Sequence, residues 1–181
     1  AYANREPERN NFTDNSSAAL PKAEHLLDTE LGYQYRTANW YASANLYYMR
    51  YINQFVMTGA KSDIGEAITS NIKNSYRLGA ELSAGWSPLQ WLSLEGNAAL
   101  SQNKLKNFTE EVEAWDTEAV HHTYAKSTLS YSPSAILNGF VDVHFGGFSA
   151  TWHTNFVSRQ YLDNTESSER SIPSYSQTDL A

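Results

Sequence analysis

The stretch YRLGAELSAGW at 76–86 sets Tyr76, Leu78, Ala80, Leu82, Ala84 and Trp86 against Arg77, Gly79, Glu81, Ser83 and Gly85. A period of two belongs to a β-strand, whose successive side chains leave by opposite faces. This strand therefore has one apolar and one polar face. The pattern recurs on both sides of it. Leu27, Leu31, Tyr33 and Tyr35 interleave with Asp28, Glu30, Gln34 and Arg36. Trp40, Ala42, Ala44, Leu46 and Tyr48 alternate with Tyr41, Ser43, Asn45 and Tyr47. Leu92, Leu94, Gly96, Ala98 and Leu100 alternate with Ser93, Glu95, Asn97 and Ala99. Further on, Leu137, Val141, Val143 and Phe145 oppose Asn138, Asp142 and His144, and Phe148, Ala150, Trp152 and Phe156 oppose Ser149, Thr151, His153 and Asn155. No segment carries a comparable helical stripe. The sequence predicts an all-β chain.

The connections are of two kinds. Thr37-Ala38-Asn39, Ser87-Pro88-Leu89-Gln90 and Gly146-Gly147 are short turns, built from residues that tolerate turn dihedrals. Long polar connections are expected at about 7–23, 56–72, 104–120 and 162–173. Tight and long connections alternate, which describes an antiparallel up-and-down meander with its short turns at one end. His121 to Ser132 also reads as a strand. Counting it as a full crossing would break the alternation, so it is expected to be a rim extension leading, past Ser132-Pro133, into the strand at 135–145.

The chain has 181 residues, 13 Lys and Arg against 20 Asp and Glu, and a net charge of -7. The acidic balance argues against a nucleic-acid partner, which needs a basic footprint. Apolar residues make up 41% and aromatics 13%, too much for a disordered chain. There is no cysteine, so disulfide frameworks, thiol catalysis and zinc ribbons are excluded. No run of about 18 apolar residues supplies a membrane helix, but the short alternating strands of a membrane barrel pass that test.

Aromatics bracket each short turn: Tyr35 and Trp40, Trp86 and Trp91, Phe145 and Phe148. A soluble hairpin has no need of this at one end only. A membrane barrel does, because such rings settle between acyl chains and water. The alternative is a soluble sandwich with these aromatics in its core.

Six phrases, taken together, resemble the later barrel strands of TonB-dependent outer-membrane receptors. They are YANREPERNNF at 2–12, AEHLLDTELGYQYR at 23–36, NLYYMRYINQFVMTG at 45–59, IGEAITSNIKNSYRLGAELS at 64–83, LSYSPSAILNG at 129–139 and FVSRQYLDNTESSERSIPSY at 156–175. Their order and spacing also resemble the family's, over nearly the whole chain. The resemblance implies a bacterial outer-membrane location and a barrel of about 22 strands filled by a plug domain. Of that barrel, residues 1–181 would be a partial segment of seven to eight strands. The AYANREPERNNF start has no basic-then-apolar leader and the SYSQTDLA end falls in mid-pattern, so the chain is expected to be an excised piece, without plug or barrel ends. The resemblance further implies import of a scarce ligand, an iron-siderophore or similar small molecule, driven by the inner-membrane TonB complex. Outer-membrane lipid and the plug would be its other partners. Neither enzyme activity nor a cofactor is expected.

The residues offer few chemical sites. His121 and His122 lie near Asp116, Glu118, Glu110, Glu111 and Glu113. Neighbours on a strand point to opposite faces, so the pair is not expected to chelate one metal. Either this is a solvated rim, or Trp115, His121 and His122 line the path of an incoming ligand. His144 and His153, with Asp142 and Asn155, are expected to face a polar lumen, as are Glu30, Arg36, Arg77, Glu81 and Glu95. GxSxG, HExxH and a phosphate loop are absent. The competing reading is a small soluble or membrane β-barrel that binds a lipophilic ligand. A membrane-barrel lipase would need a Ser-His-acid set on the outer face, and none is evident.

Overall fold

The computed structural model describes residues 1–13, 20–62, 64–112 and 119–181. Its strands are β1 (Tyr2–Arg5), β2 (Glu24–Arg36), β3 (Trp40–Lys61), β4 (Ala67–Leu89), β5 (Leu92–Val112), β6 (Val120–Thr128), β7 (Ala135–Phe145), β8 (Phe148–Val157), β9 (Gln160–Tyr161), β10 (Ser171–Ile172) and β11 (Tyr175–Leu180), with one short helix, α1 (Arg9–Thr13). All pairing is antiparallel, in the order β1-β2-β3-β4-β5-β7-β8-β11, with β6 also on β5 and β9 paired to β10 apart. The expected meander is found. The five-residue helix α1 is a small departure from all-β; Asn11 on it donates to the Thr69 hydroxyl at 2.9 Å.

The rim extension is found as well. β6 pairs with the upper part of β5, from Lys104 to Val112, and β7 with its lower part, from Leu92 to Leu100. Together they make one crossing.

Two of the expected long loops are corrected. Residues 56–72 and 104–120 are mostly strand, because β3, β4 and β5 run for 22, 23 and 21 residues. A tilted crossing of a bilayer needs about 9–11, so each of these strands continues far beyond one. Polar residues in that continuation gave it the look of a loop.

The ladder sets the predicted faces in register. On one face Tyr35, Ala42, Ala84, Gly96 and Gly139 form a row across five strands, and Leu31, Leu46, Ala80 and Leu100 form another. The large apolar side chains here are exposed: Leu31 is 73% accessible, Leu46 54% and Trp86 55%. Water would oppose such a surface at about 25 cal/mol per Å²; acyl chains would not.

β4 and β5 pair only as far as Asn74 and Lys106. Beyond that height β3–β4 and β5–β6 continue as two separate hairpins. Asn53 and Asn107 stand at the division with φ of 56° and 55°, a left-handed conformation that Asn adopts more easily than bulkier residues. The hairpins close on a core of Val56, Ile72, Leu105 and Phe108, with Tyr124 and Leu129 packed against it. Gly59, at φ 101°, allows the approach, since a Cβ there would meet the Glu111 carbonyl oxygen at 2.9 Å. The apolar core thus lies beyond the lipid-facing wall.

Candidate functional site

The polar face of the wall is a ladder of cross-strand hydrogen bonds. Ser43 and Ser83 hydroxyls meet at 2.6 Å, and Asn45 donates to Glu30 at 3.2 Å. Asn138 donates to Asn97 at 2.9 Å, and Thr151 to Asp142 at 2.6 Å. Asp28 Oδ1 and Arg77 Nε are buried and have no hydrogen-bond partner among the described residues. They share a row, Asp28–Met49–Arg77, two strands apart. At about 4.8 Å per strand that is roughly 10 Å between backbones, and the two side chains do not pair with each other. A hollow of about 340 Å³ opens beside Arg77, lined in part by Glu30, Asn45, Glu81 and Asn103. A larger depression, about 920 Å³, lies between Tyr33, Trp40 and Leu82 where small side chains leave the apolar face shallow. It belongs to the apolar face and offers few polar groups, so the smaller polar hollow is the better candidate.

At the long-loop end, residues 158–174 form a strap tied to the two hairpins. Asn164, 1% exposed, donates to the Met57 carbonyl at 2.9 Å and accepts from the Ser130 N–H at 2.8 Å. Arg170 donates to Glu110 at 2.8 Å and pairs with Asp163 at 2.9 Å. Glu110 is 4% exposed and also accepts from the Tyr124 hydroxyl at 3.1 Å. Its hydrogen bond, with the nearby carboxylates, raises the Arg170 pKa despite burial. Burial first, then the bond to Glu110, pushes the Tyr124 hydroxyl up. Glu166 accepts from Lys104 at 2.5 Å and from Thr128. Burial raises its carboxyl, but these bonds and the Lys104 charge outweigh it and hold the group below the ordinary range. Within the strap, Thr165 N–H donates to Asp163 at 3.0 Å, a local loop bond. The reach of Asn164 to Met57, over a hundred residues away, has no signal in the sequence.

The expected ligand residues are partly placed. Trp115 lies outside the described residues, as do Asp116, Glu118 and Glu113. His121 and His122 are exposed on β6, opposite Glu111 and Glu110. Among the described residues no three His, Asp or Glu stand together as a metal site. His144 and His153 are not brought together: His144 pairs with Ser149, and His153 with Phe140, on whose ring it stacks at 4.3 Å. Asp142 is taken by Thr151, and His153 lies 3.8 Å from Asp179. The bracketing aromatics are all exposed at the short-turn end: Tyr35, Trp40, Trp86, Trp91, Phe145 and Phe148.

The Outer membrane protein beta-barrel family model matches residues 22–171. The chain belongs to that family. As an outer-membrane barrel protein it turns its apolar face to lipid and its polar face to the lumen, and in such barrels the short turns are periplasmic and the long loops extracellular. The fold expected from the resemblance to TonB-dependent receptors is also found. The chain is similar to the copper transporter OprC, with TM-score 0.71 and 16% identity over 99% of this chain and 27% of that one. It is similar to the ferric yersiniabactin uptake receptor FyuA from Yersinia pestis, with TM-score 0.62 and 18% identity over 87% and 22%. The FrpB iron transporter from Neisseria meningitidis aligns with TM-score 0.62 and 15% identity over 99% and 28%. The barrel segment thus spans about a quarter of each of these chains. No curated protein sequence matches it.

Proposed function

We propose that this segment is part of the wall of an outer-membrane active transporter, a non-enzymatic receptor that imports a scarce small molecule such as an iron-siderophore with energy from the TonB complex. The observation that carries the reading is the lumen face. Asp28 Oδ1 and Arg77 Nε are buried there without hydrogen-bond partners among the described residues, Arg77 beside a polar hollow, on a sheet whose fold matches uptake receptors. Buried polar atoms without partners cost about 1–3 kcal/mol each, so another part of the transporter, its plug, is the natural source of the missing bonds. The rim residues Trp115, His121 and His122 are proposed ligand contacts at the extracellular end. The alternative, a small self-closed barrel for a lipophilic ligand, is less well supported, because β1 and β11 end an open sheet.

The test is uptake of labelled ferric or cupric chelates by cells carrying the complete gene or its deletion, with and without TonB. Chelate uptake that needs both the gene and TonB supports the reading. Equal uptake in the deletion strain for every chelate tried sinks it. In the complete gene, loss of the His121 and His122 side chains should weaken chelate binding without lowering the amount of protein in the membrane.

A further inference from the structure

The outward face changes character along the strands. Trp40 stands at the periplasmic end of β3, and Arg50 lies ten positions further on the same face. Ten residues at about 3.4 Å, tilted by roughly 40°, rise about 26 Å. That matches the apolar band of an outer-membrane barrel, about 25 Å tall. Arg50 therefore stands where acyl chains give way to headgroups of the outer leaflet.

The row at that height continues from Arg50 to Tyr76 and Lys104, and the next row holds Asn74, Lys106 and Lys126. Tyr76 is the centre: its hydroxyl donates to Gln102 at 2.7 Å, and the ammonium groups of Lys106 and Lys126 each lie 6.0 Å from its ring. Lys104 is neutralised by Glu166. Arg50, Lys106 and Lys126 are exposed and make no ion pair among the described residues. Lys106 and Lys126 are also direct partners in the ladder. Like charges placed opposite one another destabilise a strand pair. In a chain of net charge -7 this basic spot stands out, and an anion bound against it would offset that repulsion.

We infer that Arg50, Lys106 and Lys126, arranged around Tyr76, bind the phosphate-bearing headgroup of an outer-leaflet lipid. Three things fix the class of ligand. The charges have no ion-pair partner among the described residues, and the two lysines converge on one ring, that of Arg50's ladder partner. They border the lipid-facing band directly, so a bound molecule could keep its acyl chains against Leu78 and Tyr48 below. Arginine and lysine recognise phosphate by charge-assisted hydrogen bonds.

The experiment uses the full-length protein in nanodiscs, with native mass spectrometry counting retained lipid. The probe is a bisphosphorylated glycolipid diluted in phosphatidylcholine, compared with the same glycolipid lacking phosphates. The wild type should retain the phosphorylated probe. A Lys106→Gln/Lys126→Gln variant should retain it about thirtyfold less well, which is ~2 kcal/mol at about 1.4 kcal/mol per tenfold. A Lys106→Arg/Lys126→Arg variant keeps the charge and should bind like wild type, which separates loss of the site from loss of the fold. Equal retention of both probes, or retention unchanged in the Gln variant, overturns the inference. Release of the lipid by millimolar inorganic phosphate would identify a free-anion site instead and would overturn the lipid assignment. Uptake plays no part in this readout, so the transport reading can fail independently.

Discussion

Removing the Arg170 side chain should unfasten the strap. In the folded state the buried Glu110 holds Arg170 at 2.8 Å, while the Arg170 side chain is half exposed and also holds Asp163. Breaking a fully buried pair by deleting one partner costs about 3–5 kcal/mol, because the other charge is left uncompensated. Two features lower that figure here. Water reaches half of the guanidinium and screens the pair, and the Tyr124 hydroxyl continues to donate to Glu110. About 1–2 kcal/mol remains, which would raise the local opening of 160–172 by roughly 5–30-fold. Hydrogen–deuterium exchange of the full-length protein in detergent reads this directly, with the wall strands as internal standard. Arg170→Ala should speed exchange in 160–172 and leave 76–86 unchanged. Adding Glu110→Gln should return part of the loss, since a neutral amide no longer needs the cation. The reasoning is refuted if exchange in the strap stays within twofold of wild type, or if the double variant is as loose as the sum of the two single ones.

Three other consequences can be checked on the same preparation. Glu166 is held below its ordinary range, so its contribution is present above the unfolded value near 4.3 and is lost as pH falls through the lower, folded value; strap protection, taken relative to the intrinsic exchange rate at each pH, should be flat from neutrality to about pH 5 and fall only in stronger acid, and a fall near pH 6.5 would point to histidine instead. Leu46→Arg puts a charge on the lipid face near mid-height and should lower folding stability by about 2–4 kcal/mol in urea titrations in lipid, whereas Asn45→Arg, one position earlier on the lumen face and beside Glu30 of the neighbouring strand, should fold nearly like wild type. Gly79→Ala should cost about 1–3 kcal/mol by the same titration, because its Cβ would lie 2.5 Å from the Leu100 carbonyl oxygen and from the Tyr47 hydroxyl.

What the sequence made legible was whatever depends on a period of two. The lipid face of β4 could be read from Tyr76 to Trp86 because each position reports its own surroundings. The aromatics at the turns marked the short-turn end, where all six are exposed. The hairpin sandwich was not. There the alternation is interrupted at Asn53 and Asn107, and the buried side includes Gln54, Thr58 and Glu110, so polarity no longer reports which side faces in. The strap was hidden for another reason, since Asn164 is polar in any loop and its partner Met57 O is a backbone atom. The basic spot was hidden because Arg50, Lys106 and Lys126 lie far apart in sequence and meet only through the register.

The parting of β4 from β5 above Asn74 and Lys106 also separates two kinds of inheritance. Below the line, an inserted residue would shift a strand's register and turn its lipid side chains into the lumen. Above it, each hairpin answers chiefly to its own partner strand, and lengthening a tip adds only a slowly growing loop entropy. The tips can diverge in length and chemistry from one descendant to the next while the wall beneath keeps its count. A designer could exchange them as cassettes, cutting at Asn53 and Lys73 in one hairpin and at Asn107 and Ala125 in the other.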